Sequence, residues 1–354
     1  MKHRFIHRIV LLINVLFAFA LLLANLAPYL DPQNFWPVAF AGLAYPPLLL
    51  LNLLFMLYWF IIKRGYWWLS LTIVLLGWYQ IMNFVALGDE VKGKDLRVMT
   101  FNARGMDAYN TKGRLATRDS IISMIREADP DILCLQEFCY TDTGDFQNVD
   151  AIKKLGLVHF FFYKNVRHHN HIWGMAIFSN KKLVNTGVIE FEGTRKNGCM
   201  YADVEVNKKK LRIYNIHLQS VGFEKGDYDY LDNIQDSDFT PLRKILSKIK
   251  NAFAKRSQQA KLVAEHIARS PIPVVLAGDL NDSPHSFTYS ILRDGRKDGF
   301  LEAGIGISGT HVGPYPFLRI DYVLHDDELR AGKVQTIRRK FSDHYPVVCD
   351  LTFK

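Results

Sequence analysis

The sequence predicts an α+β chain in two parts, three transmembrane helices followed by packed β-sheets covered by helices. Three observations carry this reading. Residues 9–27, 38–62 and 66–87 contain no charged side chain. Beyond residue 90, short apolar runs rich in β-branched residues recur between polar turns. A few stretches with apolar residues at helical spacing lie among them, as expected for sheets that bury one face under helices.

A hydrocarbon core about 30 Å thick needs roughly 20 apolar residues in a helix, so each of the three charge-free stretches is long enough to span it. Residues 1–90 are therefore assigned to a membrane module. Pro46 and Pro47 are expected to kink or break the second span, which leaves a re-entrant segment as its alternative. Lys2, Arg4 and Arg8 precede the first span and Lys63 and Arg64 follow the second, whereas residues 28–37 hold only Asp31. The positive-inside rule then puts the N-terminus in the cytoplasm and, after three crossings, everything beyond residue 87 outside it. Trp36, Trp59, Trp67 and Trp68 fall near the expected interfaces. A signal peptide is the alternative for the first span, although no small-x-small cleavage site follows it.

Residues 91–354 have the length of one domain with a full core. The chain carries a formal charge of +9, of which +7 belongs to this part. Four cysteines in 354 residues exclude a small disulfide scaffold, and Cys134, Cys139, Cys199 and Cys349 lack zinc-type spacing, so buried thiols are expected. Strands are expected at residues 96–101, 132–135, 175–178, 211–216, 272–277, 320–324 and 347–351. Helices are expected at 115–127, 148–155 and 242–269, with Pro130 and Pro271 stopping helices just ahead of strands.

The informative pattern is what ends those strands. Residues 96–101 run into Asn102, 132–135 into Gln136 and Glu137, and 211–216 into His217. Residues 272–277 lead to Asp279 and Asn281, Ile320 to Asp321, and Asp343 with His344 precede the last strand. Alone, each is an ordinary strand-end or turn residue. Converging from six elements, they would form an acidic site with two imidazoles, suited to a hard divalent cation and a phosphate.

These segments, MTFNAR, ILCLQE, WGMAIFS, YNIHLQS, VLAGDLND, IDYVL and SDHYPV in that order, resemble the endonuclease/exonuclease/phosphatase family, the DNase I-like metal-dependent phosphoesterases. The resemblance covers residues 95–354 and implies a four-layer αββα sandwich. It also implies a Mg²⁺ site (Mn²⁺ as the alternative) at Glu137, with Asn102 and Asp343 helping to hold it. Asp279 would orient or deprotonate the attacking water, and Asn281 would donate to a phosphate oxygen. Asp321 would fix the His344 tautomer, and His217 would be the second imidazole facing the phosphate.

Other segments point to substrate less directly. Residues 164–171, KNVRHHNH, suggest a solvated loop, with a phosphate or second-metal site as the alternative. Arg104 and Arg195 are candidate phosphate contacts by charge. Residues 241–261 carry seven Lys/Arg and no acid on an amphipathic pattern, as a surface helix or a helix lying on anionic lipid would. Residues 224–238 are acidic and suggest a mobile loop near the site. The expected function is a membrane-anchored phosphoesterase acting on lipid headgroups or other extracytoplasmic phosphoesters, with the lipid bilayer as its partner. A tethered nuclease acting on DNA or RNA is the alternative within enzymes, and a catalytically silent membrane-anchored binding protein the alternative outside them.

Overall fold

A computed structural model describes residues 2–110, 112–194, 196–232, 239–313, 315 and 317–354. They divide into two compact units, Met1–Phe84 with Ser220–Gln258 and Ser283–Ile291, and Val85–Gln219 with Gln259–Asp282 and Leu292–Lys354.

The first unit begins with α1 (Lys2–Leu26), α2 (Pro37–Leu43), α3 (Tyr45–Ile61), α4 (Trp67–Leu76) and α5 (Trp78–Met82). Among the described residues, one unbroken helix is long and apolar enough to cross a membrane, Arg4–Leu26 within α1. This corrects the expectation of three spans, since the described residues offer one such helix, or two if the bent pair α2–α3 counts as one. The second span breaks at Ala44, where α2 and α3 bend by 70°, and Pro46 and Pro47 sit in the first turn of α3, where a missing N–H costs nothing. The third is interrupted at Gly77 and gives way to a strand at Val85–Leu87.

The unit exposes many large apolar side chains while burying several polar ones beside an apolar cluster of Leu21, Ala24, Tyr45 and Leu48. On α1, Phe5, Ile9, Leu12, Leu16 and Phe19 face outward while Asn14 is fully buried. The Asn14 amide donates to Ser70 Oγ at 2.8 Å and its oxygen accepts from Trp59 Nε1 at 2.9 Å, which ties α1 to α3 and α4. Asn52 donates to the Phe17 carbonyl at 3.0 Å. The unit also holds α8 (Lys225–Asp232) and the start of α9 (Thr240–Ala268). The acidic segment expected as a loop is thus helical over α8, where Asp227 pairs with Lys248 at 2.6 Å; residues 233–238 lie outside the described residues.

The second unit contains β1 (Val85–Leu87), β2 (Leu96–Asn102), α6 (Arg114–Ala128), β3 (Ile132–Thr141), α7 (Asn148–Lys153), β4 (His159–His168), β5 (His171–Ser179), β6 (Val184–Glu190), β7 (Gly198–Val206) and β8 (Lys209–His217). It continues with β9 (Val274–Asp279), β10 (Lys297–Asp298), α11 (Gly299–Ala303), β11 (Ile305–Ile307), β12 (Asp321–His325), β13 (Leu329–Thr336) and β14 (Val347–Phe353). Helix α10 (Phe287–Arg293) begins in the first unit and ends in this one. Two six-stranded sheets form, in the orders β10-β12-β9-β8-β7-β6 and β13-β14-β2-β3-β5-β4, and β1 pairs with β11.

Period-2 alternation explains the layering. Leu96 and Val98 of β2, Ile132 and Cys134 of β3, Met200 and Ala202 of β7, Leu211 and Ile213 of β8, and Val275 and Ala277 of β9 fill one core between the sheets. The alternate residues face outward under helices. Met99, Phe101, Leu133 and Leu135 pack with Ile121, Ile125 and Ile152 of α6 and α7. Tyr201 and Tyr214 meet His266 of α9, with the Tyr214 hydroxyl 2.8 Å from His266 Nδ1. Helices, sheet, sheet and helix make four layers. Two termini were placed by local chemistry, since α6 stops at Asp129 in the left-handed conformation just before Pro130, and Pro271 separates α9 from β9.

Residues 164–171, expected as a loop, belong to the β4–β5 hairpin, in which His168 pairs with His171 across the turn. All four cysteines are buried free thiols.

Candidate active site

The same alternation that builds the core between the sheets carries past its end into polar residues. Continuing by steps of two, Ile213 leads to Asn215 and His217, Ala277 to Asp279, Val323 back to Asp321, Val98 to Thr100 and Asn102, and Cys134 to Gln136. Register aligns three of them side by side, His217 opposite Asp279 in the parallel β8–β9 pair and Asp279 opposite Asp321 in the antiparallel β9–β12 pair.

Asp279 is the hub. It is fully buried and accepts hydrogen bonds from Asn102 Nδ2 at 3.0 Å, the Asn281 backbone N–H at 2.8 Å and Asn281 Nδ2 at 3.2 Å. The short Asp–Leu–Asn turn makes this inevitable, because an Asp side chain readily accepts from the N–H two residues on. Asn281 adopts a left-handed φ of 52°, which Asn tolerates. Gly278 is required by close approach, since a Cβ there would lie 2.1 Å from the Ile216 carbonyl oxygen. Asn281 spends its second amide proton on the Leu218 carbonyl at 2.9 Å, so in this geometry it orients Asp279.

His344 Nδ1 donates to Asp321, 3.0 Å from Oδ2 and 3.2 Å from Oδ1, while its Nε2 lies 3.7 Å from Asp279 Oδ2. Burial alone would lower the imidazole, but the Asp321 and Asp279 carboxylates outweigh it and push His344 up to about 10. His344 is therefore an imidazolium at neutral pH. Burial raises the Asp321 carboxyl and the His344 charge opposes that rise. Thr310 Oγ1 accepts from the backbone N–H groups of both Ile320 and Asp321 at 3.0 Å, which fixes the start of β12.

His217 is 2% exposed, and neither ring nitrogen has a hydrogen-bond partner among the described residues. Its Nε2 sits 3.7 Å from Asp279 Oδ2 and 3.8 Å from Glu137 Oε1. An imidazole held unpaired between two carboxylates is costly unless a ligand completes it.

Glu137 reaches the site through a bulge. Leu135 pairs with Ala176 and Phe138 with Gly174, leaving Gln136 and Glu137 opposite Met175 alone. Glu137 takes a left-handed φ of 47°, and such strain concentrates at functional sites. Gln136 is buried and donates to Thr100 Oγ1 at 3.0 Å and Asn215 Oδ1 at 2.7 Å; Asn215 donates in turn to the Leu135 carbonyl at 3.0 Å. This amide network clamps the strands of Glu137 and His217 across the two sheets.

Asp343 accepts from Ser342 Oγ at 3.1 Å and faces Arg104 Nε at 3.5 Å. Ser342 Oγ also bonds the Asn102 carbonyl at 2.8 Å, joining the two segments. Arg195 lies outside the described residues. Carboxylate and amide oxygens at Glu137, Asn102, Asp279 and Asp343 are hard donors suited to a divalent cation, and the orphaned His217 beside them fits such a site. Asp279, Asp321 and His344 also offer ligand atoms within 4.8 Å of one another. The Asp321–His344 hydrogen bond already uses two of those groups.

Sequence reasoning did not single out Gln136, Thr310 or Ser342 as structural supports, nor Tyr109, whose ring stacks on Trp173 at 4.7 Å. Gln136 and Ser342 sit within the motifs, but their partners Thr100, Asn215 and Asn102 are distant in the chain and leave no local signal.

Residues 99–344 match the endonuclease/exonuclease/phosphatase family, and the chain belongs to it. Residues 7–84 match a separate model described as a domain of unknown function, DUF8431. The chain is similar to the 5'-tyrosyl-DNA phosphodiesterase of Caenorhabditis elegans, 22% identical over 228 residues that cover 61% of this chain and 57% of that protein. It thus spans little more than half of that relative's length. Among solved structures, an endonuclease/exonuclease/phosphatase from Beutenbergia cavernae aligns with a TM-score of 0.55 at 22% identity, over 74% of this chain and 72% of that one. A humanized Danio rerio TDP2 aligns with a TM-score of 0.51 at 19% identity, over 73% and 98%. These two likenesses show the fold.

Proposed function

We propose that the chain is a divalent-metal-dependent phosphodiesterase, anchored in a membrane, whose substrate is a nucleic-acid phosphodiester. The observation that carries the chemistry is the His217–Asp279–Asp321 row completed by the His344 imidazolium. Glu137, Asn102 and Asp343 would hold the cation, which when bound neutralises phosphoryl charge and acidifies water. Asp279, oriented by Asn102 and Asn281, accepts the proton of the attacking water. His344, charged because Asp321 and Asp279 face it, donates to a phosphoryl oxygen, and His217 supplies the second imidazole contact. The likeness to a 5'-tyrosyl-DNA phosphodiesterase favours nucleic acid over the lipid headgroup that the tether alone suggested.

Helix α1 is proposed as the anchor. Its outward apolar side chains and its buried, hydrogen-bonded Asn14 follow the logic of helices packed in lipid. With Lys2, Arg4 and Arg8 in the cytoplasm, one crossing by α1 puts the catalytic domain outside it.

Hydrolysis of bis-p-nitrophenyl phosphate by the full chain should require Mg²⁺ or Mn²⁺ and should vanish in Asp279→Ala. Retained turnover in that variant would sink the proposed site. A panel of oligonucleotides and phospholipids, read by phosphate-product analysis, decides the substrate class. A reporter fused after Lys354 tests topology, and activity of that reporter in the cytoplasm would refute the proposed side.

A further inference from the structure

The site has an aromatic neighbour that the reaction as described does not use. Tyr109 is 73% exposed, yet its ring is not free to tumble, because it stacks on Trp173 at 4.7 Å with an interplanar angle of 25°. Trp173 is itself fixed. It is paired with Cys139, two residues beyond Glu137, and the backbone of Gly105 lies so close that a Cβ there would sit 2.1 Å from the indole. Gly105 has a φ of 69° within a turn in which Arg104, Met106 and Asp107 are also left-handed. That turn follows directly from Asn102, so the stack joins the segment that delivers Asn102 to β5, the strand paired with the one that delivers Glu137. Burial raises the Tyr109 phenol, the Glu137 charge adds to the rise and Arg104 opposes it, so the ring lies within electrostatic reach of the site.

A large aromatic ring held rigid by its neighbour, with its outer face exposed, pays little ordering entropy when a second flat ring stacks on it. We propose that Tyr109, backed by Trp173, is a stacking platform for the nucleobase carried next to the scissile phosphate. This rests on the phosphodiesterase reading above and adds to it the part of the substrate that the protein grips. A choline headgroup is the other group that aromatic rings bind well, and the experiment below separates it from a base.

The test compares binding of labelled oligothymidylate with that of an abasic strand of equal length and charge, by fluorescence anisotropy. It uses the full chain in detergent with EDTA present, so that no turnover occurs. The expected result is tighter binding of the base-bearing strand, by roughly 5- to 150-fold. That preference should collapse in Tyr109→Ala and persist in Tyr109→Phe and Tyr109→Trp. Equal binding of the two strands by the wild type, or an undiminished preference in Tyr109→Ala, would overturn the platform. So would Tyr109-dependent competition by glycerophosphocholine. Hydrolysis of bis-p-nitrophenyl phosphate, measured separately with Mg²⁺, keeps the two readings apart. Turnover without base preference removes the platform alone. Tyr109-dependent base preference without any turnover removes the phosphodiesterase reading alone.

Discussion

Replacing Asp321 with Asn removes one negative charge while keeping the shape of the side chain. The Asn oxygen can still accept from His344 Nδ1, so the ring should stay in place. What changes is the charge. His344 is held up at about 10 against a usual value of 6.5, equivalent to about 5 kcal/mol favouring the imidazolium. Asp321 at 3.0 Å and Asp279 at 3.7 Å are its nearest carboxylates. A single opposite charge at such range is worth about 1–3 pH units, so the His344 titration should fall to between about 7 and 9. Histidine carbon NMR on metal-free, selectively labelled protein reads that midpoint directly. Because the native value is raised, the pair's contribution to stability is fully present below about 6.5 and is lost as pH rises through about 10. The wild type should therefore lose thermal stability over that window more steeply than Asp321→Asn. Turnover should fall by about 10²–10⁴-fold, the range for a misplaced or uncharged proton donor. An unchanged midpoint together with unchanged turnover would refute the coupling of Asp321 to His344 and the role given to both.

Three further outcomes are expected. Asn281→Ala removes the side-chain hydrogen bond to Asp279 and the bond to the Leu218 carbonyl while keeping the backbone N–H that Asp279 accepts from, and kcat should drop by about 10²–10³-fold in steady-state assays. Gly278→Ala drives a methyl into the Ile216 carbonyl, so the melting temperature should fall by several degrees and turnover with it. Glu302 is partly buried, which alone would raise its carboxyl, but His325 at 3.0 Å and the Ala331 N–H at 2.8 Å bring it down to about 2. A depressed carboxyl contributes stability that is present above about 4.5 and lost as pH falls through about 2. Urea unfolding should thus show Glu302→Gln less stable than the wild type by about 1–3 kcal/mol at pH 7, with the gap closing in acid; a gap of constant size would exclude the Glu302 charge as its cause.

The catalytic domain was legible where local chemistry writes itself into short strings. Asn102, Glu137, His217 and Asp279 each follow an apolar run, and Asp321 stands at the start of one. All seven expected apolar runs lie within or overlap observed strands. What escaped were the short β1, β10 and β11, then β6, β7 and β13, in which Gly, Asp, Lys and Gln interrupt the runs, and β4, where the cationic residues 164–168 suggested a loop. Those strands are stabilised by lateral pairing, which no window of ten residues records. The N-terminal region was misjudged for a related reason. Absence of charge sets what lipid tolerates, but helix continuity depends on backbone geometry, and Ala44 and Gly77 end helices inside charge-free stretches. In the site, residue types were readable, whereas the mutual supports, Asn281 on Asp279 and Gln136 on Asn215, depend on three-dimensional neighbours.

The lateral row of His217, Asp279 and Asp321 has a consequence for how this protein can vary. Adjacent strands are about 4.8 Å apart, so the sheet acts as a ruler with fixed gradations and sets the spacing of the three groups without help from any loop. Loops around the row are free to lengthen, shorten or be exchanged without altering that spacing. The strands are not. Insertion of a single residue within Val274–Asp279 would turn Asp279 to the opposite face of the sheet, an all-or-none failure with no graded intermediate.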